Sequence, residues 1–75
     1  MTAKEMFNEQ HYYEVIGEYI DDSKCYIKTI GKEYQKIALI KDGEILICLD
    51  NIDILTYKEL QAINQQISEL GWLDD

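Results

Sequence analysis

Apolar residues recur at helical spacing at both ends of this chain and alternate between its ends. At the start, Ala3, Met6 and Phe7 share one helical face with Gln10. Thr2 and Glu5 stand at the spacing of a capping box, with Met1 and Met6 at the flanking staple positions. The pattern predicts a short helix ending near Asn8 to Gln10. Near the finish, Leu60, Ile63, Ile67 and Leu70 form a stripe expected to face the core. Thr56 and Glu59 repeat the capping box, and Leu55 and Leu60 repeat the staple. Gly71 fits the left-handed position after a helix, and Trp72 the apolar contact back to Ile67. The spacing predicts a helix over Tyr57 to Leu70.

Between the helices lie four strand patterns. In His11–Ile20, Tyr13, Val15, Gly17 and Tyr19 alternate with Glu14, Ile16, Glu18 and Ile20, and the first set is expected to face the core. Asp21 to Ser23 reads as a turn. Lys24–Ile30 is a second strand, and Gly31 opens the next turn. In "KIALIKDGEILICL" the dipeptide Asp42-Gly43 predicts a two-residue type I′ loop. That register pairs Lys41 with Glu44, Ile40 with Ile45, Leu39 with Leu46, Ala38 with Ile47 and Ile37 with Cys48. It places Ile37, Leu39, Leu46 and Cys48 on one face, and Ala38, Ile40, Ile45, Ile47 and Leu49 on the other.

The expected fold class is α+β, in the order α-β-β-β-β-α. A four-stranded antiparallel meander carries a short N-terminal and a longer C-terminal helix, in a single domain over residues 1–75. Both faces of the last hairpin are apolar, whereas a half-solvated hairpin alternates. Either the helices cover opposite faces, or both cover one face and the other meets a partner, of which a second copy is the commonest kind. In a meander Cys25 and Cys48 lie on strands flanking a third, too far apart for a disulfide, so both are expected reduced.

Charge sharpens this picture. Fifteen acids face seven lysines with no arginine, for a net charge of −8. Such a surface repels nucleic acid and lacks the side chain best suited to clamping phosphates, so direct nucleic-acid binding is not expected. No apolar run reaches the roughly 20 residues of a membrane span, and "MTAKEMFNEQ" does not read as a signal peptide, so a cytoplasmic location and no membrane contact are expected.

No catalytic, cofactor or metal-binding constellation emerges. His11 stands alone at a helix boundary, Cys48 lies within an apolar strand, and the carboxylate pairs fall in turns or on outward strand positions. "DNID" (Asp50 to Asp53) faintly suggests a calcium loop but lacks its glycine, and Gln61 stands where the closing glutamate belongs. The expectation is a non-enzymatic protein without cofactor.

Two features remain after folding is accounted for. Gln61, Asn64, Gln65 and Ser68 form a charge-free face on the closing helix, with Ala62 and Gln66 beside it; such a face is readily desolvated. Glu69, Asp74 and Asp75 crowd the negative end of the helix dipole, an arrangement helix stability does not explain. With the acidic Glu14, Glu18, Asp21 and Asp22, the amide face and the Asp74–Asp75 tail are the candidate partner-binding positions.

"TAKEMF" at the start and "LQAINQQISELGW" near the finish resemble a group of short proteins carried by phages, prophages and mobile elements of Gram-positive bacteria. The resemblance covers roughly the first seven and last twenty residues. The usual form after the first helix in that group is Leu-Gly-Tyr, whereas here Asn8 to Tyr13 reads "NEQHYY". The resemblance implies a fold and a genomic origin but carries no catalytic residues. By analogy with small acidic phage proteins, it implies binding to a host protein, such as a defence or DNA-handling protein with a basic surface. The alternative is a homodimeric structural or regulatory subunit with the apolar sheet face at its interface.

Overall fold

The computed structural model describes residues 1–16, 24–40, 43–49 and 54–72, with Leu49 described in its backbone alone. Helix α1 spans Ala3–Glu9 and α2 spans Tyr57–Glu69. Between them run β1 (Tyr13–Glu14), β2 (Lys24–Ile30), β3 (Glu33–Ile40) and β4 (Glu44–Leu49). They form one antiparallel sheet in the order β1-β2-β3-β4, the expected α+β meander.

The two helices use the same terminal devices. Thr2 and Thr56 each accept from the backbone N–H three residues on, while Glu5 and Glu59 reach back to the cap N–H at 2.8 and 3.0 Å. Both helices also end in a Schellman motif. In α1 the Tyr12 N–H donates to Phe7 O and the His11 N–H to Asn8 O. In α2 Trp72 and Gly71 donate to Ile67 and Ser68. The residue after each cap is left-handed, with φ of 78° at Gly71 and 69° at His11. His11 therefore occupies the backbone site that glycine fills without strain.

The hairpins set the register. Gly31 (φ 62°) is the first of two loop residues joining Ile30 to Glu33, as a type II′ turn requires. The β3–β4 connection corrects the sequence expectation. Ile40 pairs with Glu44, Leu39 with Ile45, Ala38 with Leu46, Ile37 with Ile47 and Lys36 with Cys48. The loop is therefore three residues long and closes on Gly43 at φ 87°. A glycine ending a three-residue loop is as well suited as one in a two-residue turn, so Asp42-Gly43 does not decide between them. The one-residue slip moves every β4 side chain to the opposite face.

Both helices cover the same face of the sheet. Ala3 and Phe7 from α1, Ala62 and Ile63 from α2, and Tyr12, Tyr26, Ile37 and Leu39 form the buried core, flanked by Met6, Leu55, Ile67, Leu70 and Trp72. Phe7 stacks on Tyr26 with centroids 3.9 Å apart and meets Tyr12 edge-on at 5.6 Å.

Two orientation expectations are corrected. Tyr12 is buried, whereas Tyr13, expected to face the core, is 49% exposed; Ile16, expected on the other side, is exposed as anticipated. The Schellman exit from α1 delivers Tyr12 to the core and turns Tyr13 outward. In α2 the buried set is Glu59, Ala62, Ile63 and Gln66, while Leu60 is 48% exposed. The helix is turned toward Glu59 and Gln66 because each meets a tyrosine hydroxyl beneath it. Val15 is half-buried and donates to Cys25 O; Gly17 and Tyr19 lie outside the described residues, as does the turn at Asp21 to Ser23. Neither Cys25 nor Cys48 is in a disulfide, and β3 lies between their strands.

Candidate functional site

The side of the sheet opposite the helices carries the side chains that lie outside the helix-packed core. Strand pairing assigns its occupants: Tyr13, Ile27, Lys36 and Cys48 lie across one row, Cys25, Ala38 and Leu46 across another, and Thr29 opposite Tyr34 in a third. The face divides in two. Cys25 and Ala38 are buried. In the other half, Tyr13, Ile27, Thr29, Tyr34 and Lys36 line a shallow cavity of about 300 Å³. Tyr13 on β1 and Tyr34 on β3 flank the Ile27–Thr29 floor diagonally, 49% and 45% exposed. Two half-exposed phenols around a branched aliphatic floor supply apolar contact area and two hydroxyl groups for hydrogen bonding. The reversed orientation of Tyr13 concealed this site from sequence reasoning; the signal was the consecutive Tyr12-Tyr13 pair, of which only one member can face the core.

A second cavity, about 490 Å³, opens between the helices and is lined by Met1, Met6, Glu9, Gln10, Lys58 and Gln61. Gln10 Nε2 closes one wall by donating to Met6 O and to Lys58 O at 3.0 Å.

Beneath the open face lies a buried polar layer that fixes the scaffold. The Tyr12 hydroxyl donates to Glu59 Oε2, and Glu59 Oε1 accepts from the Thr56 N–H and Oγ1. The Gln35 amide lies 3.1 Å from the Tyr12 oxygen. A hydroxyl has one proton, so while it donates to the ionised carboxylate it cannot also donate to Gln35 Oε1, and turning the amide to present its NH₂ to the Tyr12 oxygen would satisfy all three groups. Burial pushes the Glu59 carboxyl up, but the bonds from Tyr12 and Thr56 and the nearby Lys28 ammonium outweigh it and hold the group below its ordinary value. Burial and the same carboxylate push the Tyr12 phenol far up. Tyr26 donates to Gln66 Oε1 at 2.6 Å and is pushed up to about 12, first by burial and then by Glu14 and Glu69. Lys28 Nζ stands 5.1 Å from the Tyr12 ring centroid, a cation–π distance.

The positions anticipated for partner contact fare differently. Gln61, Asn64 and Ser68 are exposed on α2, Gln61 at the cavity between the helices. Gln65 is half-buried and donates to Glu69 at 3.1 Å. Gln66, expected beside that face, is buried against Tyr26. Glu14 is engaged by Lys24 at 3.2 Å. Glu69 plays a structural part, because its Oε2 accepts from the Ala3 N–H at 2.6 Å and places negative charge at the start of α1. Part of the acid at the end of α2 therefore serves the other helix. Glu18, Asp21, Asp22, Asp74 and Asp75 lie outside the described residues, and the structure does not bring the remaining candidates into one site.

Among the described residues no three His, Cys, Asp or Glu side chains stand together as a metal site, and no helix is long and apolar enough to cross a membrane. These features define an α+β domain with both described helices on one sheet face and half of the other face open. No family model, curated protein or solved structure matches the chain.

Proposed function

We propose that this chain is a small, acidic, non-enzymatic protein-binding module that docks its partner on the open half of the sheet. The observation that carries the reading is the Tyr13–Tyr34 cavity, an aromatic-flanked apolar surface opposite the helical layer. Exposed tyrosines on a rigid sheet give large contact area with little loss of side-chain freedom. The net charge of −8 selects a partner with an apolar centre and a basic surround. The resemblance to phage and mobile-element proteins supports a host defence or DNA-handling protein as that partner.

The test is affinity capture from a Gram-positive host lysate at two salt concentrations, using the wild type, a Tyr13→Ser/Tyr34→Ser variant and a Gln61→Arg/Asn64→Arg variant. The reading expects a captured protein that is lost from the tyrosine variant, retained by the helix variant and weakened by salt. Capture that survives loss of both tyrosines, or is indifferent to salt, contradicts it. The second reading, a homodimeric structural or regulatory subunit closed face to face through the same surface, is favoured by the apolar lining. It requires a dimer in sedimentation that Tyr34→Lys dissociates.

A further inference from the structure

The helical layer stops short of the last strand. Tyr26 on β2 meets Gln66, and Ile37 and Leu39 on β3 are buried, yet Ile45 and Ile47 on the helix side of β4 are 40% and 41% exposed. Leu46, on the opposite side, is 41% exposed. β4 is also the last strand of the sheet order, so among the described residues no strand pairs with its outer edge. Edge strands are ordinarily protected by lysine, proline, a bulge or short length. Glu44–Leu49 has six residues, no lysine and no proline, and its continuous ladder to β3 shows no bulge.

We propose that β4 pairs antiparallel with β4 of a second copy, joining two four-stranded sheets into one. The strand's own sequence supplies the argument for this occupant. A two-fold axis normal to the sheet keeps each side chain on its own face, so paired residue numbers must sum to an even value. Centring the axis on Leu46 sets Leu46 against itself, Ile45 against the partner's Ile47, and Glu44 against the partner's Cys48. Like meets like except at the carboxylate, which faces a thiol and not another acid. Ile45 and Ile47 then join the partner's Ile45 and Ile47 in one patch between the helical layers. This contact uses a different surface from the open-face site and stands independently of it.

The test is sedimentation of the full chain at about 100 μM, a concentration suited to a small interface. The expected mass is twice 8.8 kDa. Self-association should strengthen with salt, because each copy carries −8, the reverse of docking on a basic partner. Ile47→Lys should restore the monomer, and Tyr34→Lys should not. In a Cys48→Ser background, Leu46→Cys should oxidise to a covalent dimer, because directly opposed Cα atoms lie about 4.5–5.5 Å apart. Ile45→Cys, offset by two residues from its own copy, should not. Circular dichroism confirms that each variant is folded, and concentration-dependent protection of β4 amides in the unmodified chain provides a mutation-free check. A monomer at every salt concentration, or a dimer broken by Tyr34→Lys and indifferent to Ile47→Lys, overturns the proposal.

Discussion

Tyr12→Phe removes one oxygen and tests why α2 turns a glutamate into the core. The hydroxyl is the donor to Glu59 Oε2, while Thr56 supplies both bonds to Oε1. The variant keeps the ring, its edge contact with Phe7 and its place beneath Lys28. It strands a carboxylate oxygen in a residue only 3% exposed and takes a partner from the buried Gln35. A hydrogen bond to a charged group contributes about 1.5–3 kcal/mol, and the stranded oxygen adds its desolvation, so the expected loss is about 2–4 kcal/mol. For a chain of this length that corresponds to about 10–25 °C in Tm. Glu59 is held below its ordinary value, so its contribution is complete above the unfolded-state value and is lost as pH falls through the folded one. Tyr12→Phe removes the strongest of the stabilising hydrogen bonds on that carboxylate, so its cost should shrink on acidification. Urea unfolding of both proteins near about pH 7 and about pH 3 reads the difference directly. A cost under about 0.5 kcal/mol at neutral pH, or an equal cost at both, would refute the assignment of a charged Glu59 held by Tyr12.

His11→Gly should stabilise the chain by about 0.5–1 kcal/mol, because a left-handed backbone costs more at His than at Gly; a raised urea midpoint at unchanged slope checks it, and a lowered one contradicts it. Glu69→Ala should cost at most about 1 kcal/mol, since its carboxylate is exposed. Its clearest sign is faster amide exchange in α1, where Ala3 loses its acceptor. On the alkaline side, Tyr12 and Tyr26 are raised above the ordinary value near 10, so their contribution is intact below it and fades as pH rises beyond it. A tyrosinate absorbance titration should find Tyr12 and Tyr26 ionising only as the fold is lost.

Local signals carried most of the fold. Both capping boxes, the Gly71 and Trp72 exit and the antiparallel order depend on residues near one another, and each could be read from spacing. The misread features depended on distant partners or on local signals that fit two arrangements. Leu60 looked more like a core residue than Glu59 or Gln66 until Tyr12 and Tyr26 supplied hydroxyls from other elements. The β4 register depended on one loop residue, and Asp42-Gly43 is compatible with either loop length. Glu69 looked unfavourable in its own helix because the donor it serves is Ala3, at the other end of the chain. The open-face site was hidden by a local ambiguity: assigning Tyr13 outward requires knowing that the α1 exit sends Tyr12 inward.

The binding reading is tested most directly by hydrogen exchange on the isotope-labelled chain, alone and saturated with the protein it captures. Docking on the open sheet half predicts new protection at Tyr13, Ile27 to Thr29 and Tyr34 to Lys36, with the Gln61–Ser68 face unchanged. Protection confined to that helix face, with the tyrosine cavity exchanging as in the free chain, would contradict it.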